Sequence, residues 1–100
     1  MELKIVQENG DERGVFYALG TNESVKGIMT YIWGDDDHML IDYSNVSCGF
    51  ENDGIEEALV KAVANYARLK KCKVVPLSSK LKKVAKTDQT IQDVIESFSL

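Results

Sequence analysis

Up to Val46 apolar and polar residues alternate with a period of two, whereas beyond Asp53 the apolar positions recur every three to four residues. That change of period predicts a strand-built first half and a largely helical second half. Leu3 and Ile5 alternate with Lys4 and lead to Val6, a short first strand. The cluster Asn9-Gly10-Asp11-Glu12-Arg13-Gly14 turns the chain into a second strand, Val15 to Leu19. Gly20-Thr21-Asn22-Glu23 turns it into Val25 to Trp33, rich in β-branched and aromatic residues. Gly34-Asp35-Asp36-Asp37 then leads to Met39 to Val46, where Leu40, Ile41, Tyr43 and Val46 are packing candidates. Four such strands joined by short turns predict an antiparallel meander.

Ile55, Ala58, Leu59, Ala62, Val63, Tyr66 and Ala67 form one apolar stripe of an amphipathic helix running from Asp53 to about Lys71. Asp53 is placed to cap it, with Glu56 three residues on to reach back to the Asp53 amide. Such a capping box predicts a helix that satisfies its own first-turn donors. Arg68, Lys70 and Lys71 complement the dipole at the other end. Val74-Val75 is a brief strand, too short for an exposed edge and so central or parallel to the fourth, and Pro76 ends it. Ser78 or Ser79 can cap a short helix carrying Leu81, Val84 and Ala85, which Thr87-Asp88 breaks. Thr90 can cap a last helix that turns Ile91, Val94, Ile95 and Phe98 inward. The predicted fold class is α/β: a mixed, mostly antiparallel five-stranded sheet with one long helix on one face and two short C-terminal helices beside it.

One hundred residues, 44% of them apolar, suit a single domain over residues 1–100. A net charge of −4 argues against a general nucleic-acid role. Eight of the twelve basic residues nevertheless lie between Arg68 and Lys86. They read either as solvated helix faces or as a patch for a phosphorylated ligand or acidic partner. Cys48 and Cys72 have no paired spacing and His38 is the only histidine, so metal and disulfide frameworks are poor readings. The three consecutive aspartates lack the spaced ligands of a calcium loop and read as a solvated hairpin tip. No apolar run approaches the roughly 18 residues of a membrane span, and Met-Glu-Leu-Lys does not begin a signal peptide. The expectation is a soluble, cytoplasmic protein with reduced thiols.

The candidate chemistry lies in the loop Ser47-Cys48-Gly49-Phe50-Glu51-Asn52-Asp53-Gly54. A glycine-bearing turn from a strand into a helix is a natural cradle for a phosphate, because first-turn amides point outward at the positive end of the dipole. Here Glu51, Asp53, Glu56 and Glu57 make the cradle acidic. Each like-charge approach costs an anion on the order of 1 kcal/mol.

The run Ile41-Asp42-Tyr43-Ser44-Asn45-Val46, then after seven residues Gly54-Ile55, and further on Leu59-Val60, Tyr66-Ala67-Arg68 and Lys73-Val74-Val75-Pro76-Leu77-Ser78, resembles the small single-domain branch of the GNAT acetyltransferases. That branch has a strand ending His-Thr-x-Val, a loop Arg-Gly-Gln-Gly-Ile-Gly/Ala, a helix ending Ala-Arg and a strand ending Pro-x-Cys. The resemblance runs without a gap from Ile41 to Ser78. It implies acetyl-CoA in a cleft between splayed fourth and fifth strands, with its pyrophosphate on the loop amides. The implied cofactor positions are Val46, Ser47, Glu51 (for arginine), Asn52 (for glycine), Asp53 (for glutamine), Gly54, Ile55, Glu56 (for glycine or alanine) and Ser78 (for cysteine), with Lys80 and Lys83 reaching the nucleotide phosphate. Tyr43 replaces the motif histidine and Ser44 the threonine, and these are the implied catalytic positions. A phenol suits a proton donor to the leaving thiolate better than a base.

Two functions of different class follow. One is an acetyl-CoA-dependent N-acetyltransferase acting on a small-molecule or protein amine. The other is a module of the same fold that has lost the cofactor and serves as a protein-binding scaffold. A nucleic-acid binder built on the basic segment is a third, but it lacks aromatics beside the lysines.

Overall fold

Five strands lie side by side in the order of the chain, in a computed structural model that describes residues 3–35, 37–50, 53–77 and 79–96. They are β1 (Lys4–Asn9), β2 (Arg13–Leu19), β3 (Val25–Asp35), β4 (His38–Val46) and β5 (Lys73–Pro76). β1 to β4 pair antiparallel, and β5 pairs parallel to β4. Parallel neighbours need a crossover, and here it is α1 (Ile55–Lys70); α2 (Ser79–Thr87) follows β5. The predicted meander, long helix and short helix are all present. β1 is longer than the pattern suggested, because Gln7, Glu8 and Asn9 pair with Phe16, Val15 and Gly14. None of the described helices is long and apolar enough to cross a membrane.

The two faces of the sheet differ. Phe16, Ala18, Met29, Tyr31, Met39 and Ile41 are buried in one cluster with Ile55, Leu59 and Val63 of α1 and Leu81 and Ala85 of α2. Fully burying each aliphatic side chain of that cluster stabilises the fold by about 1.5–3 kcal/mol. α1 buries Ile55, Leu59, Val63 and Ala67 of the predicted stripe, leaves Ala58, Ala62 and Tyr66 partly buried, and buries Val60 and Ala64 as well. Gly27 on β3 lets the helix sit this close: a Cβ there would stand 2.6 Å from Cγ2 of Ile55 and 3.2 Å from Cδ1 of Leu59. The opposite face, carrying Val15, Tyr17, Ile28, Thr30, Ile32 and Leu40, has no helix over it, and its residues are only partly buried.

The C-terminal segment departs from expectation. Instead of a last helix there is one 3₁₀ turn, Gln89–Ile91, and its cap is Asp88 rather than Thr90. The Asp88 carboxylate accepts from the Thr90 amide at 2.9 Å and from the Thr90 hydroxyl at 2.6 Å. Beyond it the chain runs beside β5: the Val74 amide donates to the Val94 carbonyl at 2.7 Å, and the Glu96 amide to the Val74 carbonyl at 2.8 Å. A short outer strand leaves backbone groups open on one side, and the segment that could have been helical satisfies them instead. Ile91 and Val94 do turn inward; Phe98 lies outside the described residues.

Side chains hold that segment in place. Arg68 donates to both carboxylate oxygens of Asp93, at 2.8 and 2.7 Å, and to the Thr90 carbonyl at 2.9 Å. Lys73 donates to the Asp93 carbonyl at 2.6 Å. Part of the basic cluster therefore anchors the C-terminal segment at the surface. His38 meets Asp35 through Nδ1 at 2.8 Å and Glu96 through Nε2. Only an imidazolium donates from both nitrogens. The Asp35 hydrogen bond is the largest cause raising the His38 pKa above its ordinary 6.5; partial burial opposes it and Glu96 adds to it.

A group whose pKa is raised by folding stabilises fully below its unfolded value and loses that contribution as pH rises through the folded value. The urea midpoint should fall as pH rises from about 6 to about 9, and His38→Gln should remove that part of the fall. A slope unchanged in His38→Gln would contradict the clamp.

Candidate active site

β4 is paired with β5 along only part of its length. The register joins His38, Met39, Leu40 and Ile41 to Lys73, Val74, Val75 and Pro76, and the last bond runs from the Leu77 amide to the Ile41 carbonyl at 3.1 Å. From Asp42 to Val46, β4 continues beyond the end of β5, held on its other side by β3. At the parting point the β3–β4 register slips: Thr30 opposes Tyr43 and Tyr31 opposes Ile41, so Asp42 is the extra residue of a bulge. Tyr43 then shares the helix-free face with Thr30, and Ser44, opposite the buried Met29, lies on the helix side. The two residues implied as catalytic thus sit on opposite faces of one strand. Tyr43 is 52% exposed.

The start of α1 stands on the helix side of the sheet. Its N-cap is Gly54, in the left-handed conformation at φ 76° and ψ 17°, so the cap residue itself offers no side-chain acceptor and Asp53 is not the cap. The expected capping box is absent. Gly54 places one residue between Asp53 and the helix, so exposed Asp53 stands outside it with its amide bound to the Phe50 carbonyl at 3.2 Å. Glu56 does not reach back. It lies on the same arc as Val60 and Val63, is buried at 7% exposure, and its carboxylate is 3.5 Å from the Ser44 hydroxyl, a long contact. The first intrahelical bond is Ala58 amide to Gly54 carbonyl at 3.0 Å, and amides ahead of it have no partner within a helix. A Cβ on Gly54 would meet nothing within 4 Å, so the approach to these amides is open. Parted strands facing a glycine-led helix start make a site for an elongated ligand with an anionic group.

The sequence profile of the family described as GCN5-related N-acetyl-transferase matches residues 16–94, most of the chain. The chain belongs to that family. Among solved structures, it is similar to a GCN5-like candidate N-acetyltransferase from Staphylococcus aureus, determined by NMR: 26% identity, 97% of this chain and 91% of that one, TM-score 0.72. A GNAT acetyltransferase from Elizabethkingia anophelis with acetyl-CoA bound shares the fold at 24% identity over 76% of this chain and 52% of that one, TM-score 0.62. An aminoglycoside acetyltransferase from an uncultured soil metagenomic sample, in complex with sisomicin, does so at 18% identity over 92% and 64%, TM-score 0.66. The chain spans between half and two thirds of the length of those two. No functionally curated protein sequence matches it.

The backbone of this GNAT member fits acetyl-CoA at the three features just described: the parted strands, the left-handed glycine and the open helix start. The acidic side chains are the counterweight, and their placement softens it. Glu56 turns its carboxylate toward the sheet, while Asp53 and Glu57 point to solvent. Ser47 is committed to β3, its amide bonded to the Lys26 carbonyl at 2.8 Å and its hydroxyl to the Val25 carbonyl at 3.2 Å, and Val46 opposes Gly27. Ile55 is a core residue. Lys83 is exposed on α2. Glu51, Asn52, Ser78 and the Lys80 side chain lie outside the described residues. Below the parting point Met29, Ile41, Val60, Val63 and Pro76 close around a cavity of about 10 Å³, the size of one water.

Neither cysteine takes part. Cys72 is buried, and that burial, with the Asp37 charge, pushes its thiol pKa up, away from the reactive thiolate. Cys48 is exposed in the loop after β4. Sequence reasoning missed Asp42, whose place in the bulge is signalled only by the unbroken apolar run Met39-Leu40-Ile41 before it.

The capping geometry is directly checkable. Asp53→Ala should change unfolding free energy by less than about 0.5 kcal/mol, whereas Asp88→Ala, which removes a true cap, should lower the urea midpoint clearly. The reverse order would restore the capping box.

Proposed function

We propose that this chain is an acetyl-CoA-dependent N-acetyltransferase that acetylates an amine of a small molecule or a protein. The observation that carries the reading is the left-handed, glycine-led start of α1 facing the part of β4 that β5 leaves unpaired. Acetyl-CoA supplies a thioester: the acceptor nitrogen bonds to the acetyl carbon, the carbon–sulfur bond breaks, and the proton lost by the acceptor balances the thiolate released.

The chain's own groups divide that work. The amides of Gly54 and Ile55 hold the pyrophosphate at the positive end of α1. Lys83, with Lys80, reaches the nucleotide phosphate as a point charge. Backbone along Ser44 to Val46 lines the slot, and an amide of β4 polarises the thioester carbonyl, where a preorganised donor commonly contributes a few kcal/mol. In this reading Tyr43, on the helix-free face, returns a proton to the leaving sulfur, and Ser44 lines the opposite side.

The acidic loop sets the expected affinity. Asn52→Gly with Glu51→Arg replaces repulsion by attraction and should tighten acetyl-CoA binding about tenfold by calorimetry. No gain would place the phosphate somewhere other than this loop.

A further inference from the structure

The sheet registers align a row of side chains across the helix-free face. Glu8 opposes Val15, Val15 opposes Thr30, and Thr30 opposes Tyr43, with Asp42 beside Tyr43 in the bulge. Side chains that face each other along such a row point to the same side of the sheet. The row therefore runs from a carboxylate on β1, over an apolar and a hydroxyl side chain, to a carboxylate on β4. The Thr30 hydroxyl donates to Asp42 Oδ1 at 2.7 Å, which fixes that carboxylate over the face and leaves its other oxygen to accept. Glu8, Val15, Thr30 and Asp42 line a groove of about 470 Å³. Three inter-strand spacings separate its two ends, roughly 14 Å.

The end at Asp42 is also where β4 and β5 part. An acceptor lying on this row reaches the parting point from the side opposite α1, so its amine arrives with its counter-ion already in place. Charge is arranged accordingly. Glu8 and Asp42 terminate the row. Arg13 also lines the groove, but in the next row, opposite Ile32, where it holds a cationic chain to the Glu8–Tyr43 line.

We propose that the acceptor is a linear aliphatic diamine laid across the helix-free face, its reacting ammonium on Asp42 and its distal ammonium on Glu8. Its methylenes cover Val15. Asp42 is a specificity-determining residue that touches the acceptor, and Glu8 sets the length of chain that is accepted. The inference builds on the acetyl-transfer reading for what happens to the bound amine, but not for the binding itself.

The test is an amide-resolved NMR titration of the intact chain, without acetyl-CoA, using diaminooctane, octylamine and octanol. Diaminooctane should shift the amides of Glu8, Val15, Thr30, Asp42 and Tyr43, octylamine those nearest Asp42, and octanol should be much weaker. Asp42→Asn keeps an oxygen for the Thr30 hydroxyl and so should leave the fold intact. It should weaken both amines about two- to five-fold, and Glu8→Gln should weaken diaminooctane alone by a similar factor, as expected for exposed ion pairs. Equal shifts with octanol, shifts away from this row, or indifference to both substitutions would overturn the diamine site. Mass spectrometry of diaminooctane incubated with protein and acetyl-CoA completes it: monoacetylation, reduced in Asp42→Asn, is the expected result. Acetyl-CoA bound without acetylation of the bound diamine would overturn its role as acceptor, whereas failure of acetyl-CoA itself to bind would strike the transferase reading and leave the amine shifts standing.

Discussion

β4 and β5 form the one parallel pair among the five strands, and an isolated parallel bridge joins Val74 to Ile95 beyond β5. A parallel pair cannot be closed by a tight turn, so the chain leaving β4 must travel back along the sheet before β5 begins. The sixteen residues of α1 make that return, covering roughly 24 Å at the rise of an α-helix. The return puts the positive end of α1 beside the carboxyl end of β4, the place where open α/β sheets take ligands. It also leaves β5 only four residues long. The pocket between the strands is thus a by-product of the connection: a long β4 and a short β5 part where the short strand ends.

Two features keep this arrangement usable. Gly27 removes the Cβ that would otherwise push Ile55, and with it the first turn of α1, away from β3. Gly54 bends the chain into the helix through a left-handed residue and in doing so moves Asp53 out of capping position. Asp53 therefore does not compete for the first-turn donors, although its carboxylate and that of Glu57 remain exposed near them. The base of the wedge is shut by apolar packing around Ile41, Val60 and Val63, which leaves the backbone above Asp42 as the part open to a ligand.

The strands and the long helix were legible because period two and period 3.6 are imposed by which face is buried. Ile41, Leu59 and Val63 were readable on that ground alone, whereas Leu40 and Tyr43, read with Ile41 as packing candidates, lie on the other face and Met39 takes the core position. The C-terminal helix was misread for a physical reason: the pattern Ile91, Val94, Ile95 serves a 3₁₀ turn and a strand bridge as well as a helix, and the open edge of β5 decides between them. Asp53 was misread because a cap depends on one backbone rotation at Gly54 that composition does not encode. Asp42 was missed because a bulge reverses the inward and outward alternation midway through a strand. Tyr43 and Ser44 were found as positions on β4; strand neighbours always take opposite faces, and the bulge decides that Tyr43 has the helix-free side and Ser44 the helix side. The ties of Arg68 to Asp93 and of His38 to Glu96 span long stretches of sequence and have no local signal at all.

The central claim is that the helix start and the unpaired half of β4 together hold acetyl-CoA. An amide-resolved NMR titration with acetyl-CoA tests it most directly, because a chain this small gives one signal per backbone amide. The account predicts saturable shifts on Ser44 to Val46 and Gly54 to Glu57, extending onto α2 near Lys83, with β1 and the distal end of β2 unmoved. No response at millimolar acetyl-CoA, or shifts confined to the exposed lysines of α2, would contradict it.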